Sequence, residues 1–147
     1  MYGDGEYLGF IDIADAYGNT KTGNLAYYYM GVLYLKMGEY EKAIDALESF
    51  DGNDVMLSSV AIGAIGDAYA QLGDEDKAIS QYKEAAYNNE NQFITPLYLM
   101  KAAQLLESTG QYSSAVDLYK EIQEDYPESQ EGRQVEKYIA RAESFVN

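Results

Sequence analysis

The chain of 147 residues contains no cysteine and no histidine. Together those absences remove disulfides, thiol nucleophiles, the usual zinc ligands and the commonest acid–base side chain. Lack of cysteine fits both cytoplasm and periplasm, so it selects no compartment. Proline is scarce, at two residues, and Val and Ile are each fewer than Ala, Leu, Tyr or Glu. That mixture favours helix. Positive charge is in short supply: 10 Lys plus Arg stand against 25 Asp plus Glu, a formal charge of −15. A surface of that sign repels phosphate backbones and anionic membranes, which argues against nucleic acid as a partner. No apolar run approaches the ~20 residues that span a bilayer, so this segment is not expected to insert into one. The N-terminus also lacks the basic start and apolar stretch of a signal peptide.

What is present is a hydrophobic fraction of 47%, ample for a core, in a chain long enough to bury roughly 70% of its unfolded surface as one domain. It also contains an internal echo. Gly31, Tyr34, Gly38 and Ala43 recur as Gly66, Tyr69, Gly73 and Ala78, and the last two recur again as Gly110 and Ala115. Repeats of this length are stacked supersecondary units, which usually build a binding surface and not a catalytic pocket.

The spacing predicts a helix from Asn24 to Met37, stopped by Gly38, and a second from Glu39 to Phe50 with Tyr40, Ala43, Ile44, Leu47 and Phe50 on one face. Asn53 or Asp54 would cap the next helix, Val55 to Leu72, and Asp74 the one after, Glu75 to Asn88. Thr95 before Pro96 reads as a cap followed by proline at the first helical position, opening a helix to Thr109. Tyr112 to Tyr126 closes the third pair before Pro127. A final helix from Ser129 to Phe145 turns Val135, Tyr138, Ile139 and Ala142 inward, as a terminal cap should. A shorter helix from Gly5 to Tyr17 offers Leu8, Ile11, Ala14 and Ala16 for packing, and Met1-Tyr2 in front of it reads as the start of a C-terminal portion of a longer protein.

Tyr27, Met30-Gly31, Tyr34, Gly38, Tyr40, Ala43, Leu47 and Phe50 resemble a tetratricopeptide repeat. So do Ile65-Gly66, Tyr69, Leu72-Gly73, Ala78, Tyr82 and Ala85, and then Gly110, Tyr112, Ala115, Tyr119 and Pro127. The third copy departs by carrying Ala103 for glycine and Leu106 for tyrosine. The resemblance implies an all-α, right-handed α-solenoid of about three helix pairs, with a short N-terminal helix and a C-terminal capping helix. Residues 1–147 then form a single domain: a partial N-terminal helix in 1–23, repeats over 24–58, 59–95 and 96–128, and the cap over 129–147. Gly31, Gly66 and Ala103 would mark the close approach within each pair, faced by Ala43, Ala78 and Ala115.

More narrowly, Gly9-Phe10-Ile11 and the run Tyr17 to Ala26 look like bacterial envelope repeat proteins tethered by an N-terminal membrane helix and related to accessory subunits of the secretion machinery. That kinship implies the periplasm, through an anchor this chain does not carry, with the cytoplasm as the alternative.

In such solenoids the first helix of each pair lines the concave surface. The implied groove residues are Tyr28, Val32 and Lys36, then Gly63, Asp67 and Gln71, then Met100, Gln104 and Glu107. The stripe passes from apolar to polar and acidic, and Gly63 would let a peptide backbone come close. Family members that clamp a C-terminal carboxylate use lysine, asparagine and arginine here; Tyr28, Val32, Ala64 and Leu97, with Lys101 the one cation, do not match. An apolar or basic segment is the expected occupant. The alternative is that the first helix, apolar nearly all round, is buried by the N-terminal helix, by an upstream helix or by a second copy in a homodimer through the N-terminal end. No nucleotide loop, Ser-His-Asp arrangement or calcium loop is found, so neither catalytic residues nor cofactor nor metal is assigned, and the protein is read as no enzyme.

Overall fold

The computed structural model describes residues 4–17 and 20–146. The side chains of Leu8 and Tyr17, and Met1-Tyr2 and Gly18-Asn19, lie outside the described residues. Among those described, the chain is all helix: α1 (Asp4–Tyr17), α2 (Lys21–Met37), α3 (Tyr40–Ser49), α4 (Val55–Leu72), α5 (Glu75–Asn88), α6 (Ile94–Ser108), α7 (Tyr112–Asp125) and α8 (Val135–Glu143). Each helix packs on the next, and the first helices of successive pairs, α2, α4 and α6, also touch one another. The result is an α-solenoid.

The turns within pairs follow the sequence signals. Gly38 and Gly73 end α2 and α4 with φ of 76° and 79°, where their N–H groups reach back to Leu35 and Ala70 carbonyls. Gly110 holds the same conformation after α6, a left-handed region in which any Cβ is strained. Asp54 and Asp74 cap α4 and α5 by accepting from the Leu57 and Lys77 N–H groups at 3.0 and 3.3 Å.

Three boundaries differ from expectation. α2 begins at Lys21 and not Asn24, because Thr20 Oγ1 accepts from Gly23 N and supplies a cap three residues early. α6 begins at Ile94, before Thr95. Phe93 holds the cap position without a side-chain bond, Asn91 Oδ1 just before it accepts from Phe93 N and Ile94 N, and Thr95 is fully buried and donates to the Ala86 carbonyl at 2.9 Å. α8 begins at Val135 and not Ser129, since residues 129–134 form turns in which Ser129 Oγ donates to Tyr126 O and accepts from Gly132 N.

α4 is long and apolar enough, by length and composition, to cross a membrane, with a mean hydropathy of 1.3. The uninterrupted-run test missed it because its glycines, serines and Asp67 break the run. Its setting is that of a core helix: Ala61, Ile65 and Ala68 pack with Ile44 and Leu47 of α3, and Gly66 lies against α5.

The small residues do mark close approach, but of a different kind. A Cβ on Gly31 would lie 2.3 Å from Leu47, and one on Gly66 2.8 Å from Tyr82. The contacts are therefore glycine against a large side chain one turn beyond Ala43 and Ala78, an interlock that fills volume better than two small residues meeting.

Candidate interaction surface

The first helices carry little charge. α2 has Lys21 and Lys36, α4 has Asp67, and α6 has Lys101 and Glu107. The acidity sits on the second helices, as Glu41, Asp45 and Glu48 on α3, Glu75, Asp76 and Glu84 on α5, and Asp117, Glu121, Glu124 and Asp125 on α7.

Both first-helix carboxylates are engaged within the molecule. Asp67 Oδ1 accepts from Tyr82 Oη at 2.7 Å and from Lys101 Nζ at 2.8 Å. Lys101 Nζ lies 5.5 and 5.9 Å from the ring centroids of Tyr82 and Tyr98, close enough for cation–π attraction. Burial first, and the bond to Asp67 second, push the Tyr82 phenol up and keep it a donor. Burial likewise moves Tyr98 up to about 12.

Glu107 makes a similar arrangement at the next junction, one turn beyond Gln104, which holds the place equivalent to Asp67. It accepts from Tyr119 Oη at 2.8 Å and takes Arg141 in a fork, Nε at 2.6 Å and Nη2 at 2.8 Å. The Arg141 bonds, followed by the one from Tyr119, hold its carboxyl below the usual carboxylate range against a burial that opposes them. A carboxylate, a tyrosine from the following second helix and a cation 34 residues away thus brace both later junctions. This corrects the expectation that the stripe turns acidic toward its C-terminal end: its two acids are neutralised by neighbours.

Gly63 is a second correction. A Cβ there would lie 2.1 Å from the Tyr98 ring, so the space is filled by α6 and is closed to a peptide backbone. Met100 is a third, being 8% exposed and part of the core that joins α5 to α8. Sequence reasoning missed Tyr98, Tyr119 and Arg141. The spacing of an acid and a base by 34 residues in both braces was the available signal.

Tyr28, Val32, Lys36, Gln71 and Gln104 remain at least partly open. Tyr28 meets Tyr29 edge-on at 5.7 Å and Phe50 at 5.6 Å. Gln104 borders a pocket of about 170 Å³ with Met100, Gln134 and Tyr138, and a shallower one of about 520 Å³ with Ser108, Tyr112 and Phe145. A cleft of about 560 Å³ lies between the start of α2 and the loop into α4, lined in part by Phe50, which touches Tyr28. Across it Asn24 and Asp51 exchange two side-chain-to-backbone hydrogen bonds.

Known proteins share the repeats and the fold. The tetratricopeptide-repeat family matches residues 25–51 and 98–129 in one of its forms and 61–92 in another. The protein ycf37 of Guillardia theta is 26% identical over 119 residues, covering 78% of this chain and 65% of that protein. The chain thus spans just under two thirds of that relative's length. A crystal structure of MamA superposes with a TM-score of 0.68 at 18% identity, over 97% of this chain and 88% of the other. A second MamA structure gives 0.56 at 17% identity, over 95% and 88%. At such identities the likeness is one of fold.

Proposed function

Since the chain belongs to the tetratricopeptide-repeat family, whose domains generally mediate protein–protein interaction, we propose that it is a non-enzymatic scaffold holding an apolar segment of a protein partner along its first helices. One observation carries the reading. With Asp67 and Glu107 tied to Lys101 and Arg141, the stripe through Tyr28, Val32, Gln71 and Gln104 offers apolar and amide contacts and no unpaired carboxylate. An apolar segment suits such a surface better than a basic one, because a desolvated lysine would meet no counter-charge there. The described helices act as one unit, with α2–α3, α4–α5 and α6–α7 as the three pairs and α8 as the cap. The resemblance within 17–26 makes an envelope assembly or secretion complex the setting we favour.

The test uses two extended synthetic peptides of equal length, one Leu/Phe-rich and uncharged, the other with lysines interleaved, titrated by fluorescence anisotropy. The uncharged peptide is expected to bind more tightly. Tyr28→Ala with Gln104→Ala should weaken it by about tenfold while helicity and melting stay intact. Tighter capture of the lysine peptide, or binding indifferent to that double change, would overturn the groove assignment. Met100 is left untouched because truncating it would disturb the core.

A further inference from the structure

The second helices are unequal in length. α3 has 10 residues where α5 and α7 have 14, so it stops about one turn short of its counterparts. Asn24 on α2 holds that stop. Its Oδ1 accepts from Asp51 N at 2.6 Å and its amide nitrogen donates to Asp51 O, which occupies both backbone groups that a further turn would use. In the second pair the turn is present. Ala85 and Ala86 are fully buried in it, and Asn88 donates to Ser59, the counterpart of Asn24, at 3.0 Å. Where the turn is missing from the first pair lies the cleft of about 560 Å³. The loop that borders it is tightly folded, since a Cβ on Gly52 would lie 2.8 Å from the Phe50 ring. Leu25, Phe50 and Leu57 give the cleft apolar walls, and Lys21, Asp51 and Asn53 give it polar ones. Lys21 is its one cation, and neither Lys21 nor Asp51 takes part in a salt bridge among the described residues.

We propose that this cleft is a binding site for a small zwitterion with an apolar body, namely a dipeptide of apolar residues, its carboxylate at Lys21 and its ammonium at Asp51. The size suits such a ligand, because small-molecule sites run from roughly 300 to 1,000 Å³. The charges follow from desolvation. An apolar body resting on Leu25, Phe50 and Leu57 displaces water from Lys21 and Asp51, and each then needs a counter-charge from the ligand. A ligand of one sign would answer only one of the two groups, and a neutral one neither. The separation favours a dipeptide over a single amino acid. Lys21 and Asp51 do not bridge each other, so their counter-charges must stand apart. An amino acid carries both on one carbon, whereas a dipeptide sets them about 3.8 Å further apart.

The probe is the dipeptide Leu-Phe, titrated into the full chain by isothermal calorimetry beside its N-acetylated and C-amidated forms. Saturable binding of the free dipeptide is expected, with each capped form about tenfold weaker. Two variants assign the ends. Lys21→Gln should weaken the free dipeptide by about tenfold and leave the C-amidated form unchanged, since that form has no carboxylate to lose. Asp51→Asn should do the same for the free dipeptide and leave the N-acetylated form unchanged. Both variants should keep the circular dichroism melt, because Asn24 holds the backbone of Asp51 and not its side chain. Gln104→Ala, in the stripe of the first helices, should alter dipeptide affinity by less than about twofold, so the two readings fail separately. No saturable binding at millimolar dipeptide would overturn the proposal. So would capped forms that bind as tightly as the free one, or variants that weaken free and capped forms alike.

Discussion

Between α2 and α4, the register positions that hold Asp67, Tyr82 and Lys101 one repeat later hold Val32, Leu47 and Ala64. The first junction is therefore closed by apolar contact, and the next two by a carboxylate bonded to a tyrosine and a cation. Apolar contact is non-directional and tolerates sliding. A charge-assisted hydrogen bond sets distance and angle, and an unpaired partner is costly when half-buried. The same fold thus has a C-terminal part whose repeats are pinned to one another by charged groups and an N-terminal part held by packing with only neutral hydrogen bonds, such as that from Tyr40 Oη to Gln71 Oε1 at 3.5 Å. The exposed apolar residues of α2 lie in the part that is not pinned.

The largest effect that would break this contrast is steric. Gly63→Leu must displace Tyr98, which lies 2.1 Å from the would-be Cβ, and should cost about 3 kcal/mol or more. A urea midpoint like that of the natural chain would mean that Tyr98 is not held over α4. Next comes Glu107→Ala, which strands the Tyr119 hydroxyl and the Arg141 fork. Its side chain is only 11% exposed, so a loss of about 2 kcal/mol is expected by the same measurement. Asp67→Ala should cost about 1 kcal/mol, because Asp67 and Lys101 are near 40% exposed and water screens them. Asp67→Val with Lys101→Ala, which copies the first junction, should cost less than Asp67→Ala alone. A double change that costs the sum of its parts would show that the brace is not a unit.

The smallest effect is in acid. Glu107 has a folded-state pKa below its unfolded value, first because of Arg141. Its contribution is thus fully present above a carboxyl's ordinary value of about 4.3 and is lost as pH falls through the folded value. Melting temperatures of the natural chain and Glu107→Gln should therefore run parallel above that range and converge below it. Curves that stay parallel into acid would remove Glu107 as a source of the pH dependence.

Much of the fold was legible because its signals are local. Gly38, Gly73 and Gly110 end helices through their own φ, and Asp54 and Asp74 cap within three residues. The misplaced starts at Thr95 and Ser129 share a cause. A hydroxyl beside an apolar run looks like a cap, yet Thr95 spends its hydroxyl on the Ala86 carbonyl and Ser129 on a turn. The interaction stripe was less legible. Its positions follow from helical spacing, but Asp67, Glu107 and Gly63 are consumed by side chains a repeat away, which composition and period do not reveal.

By itself the sequence determined that this protein is a stack of paired helices, where most of them stop, and which residues share a face. Those properties depend on backbone geometry within a turn or two. Only the tertiary structure decided that Tyr98 would lie over Gly63, that Lys101 and Arg141 would claim the two acids of the stripe, and that Tyr29 would face outward. Each of those outcomes depends on how far one helix is shifted along another. That shift is set by packing summed over whole interfaces, and no local pattern encodes it.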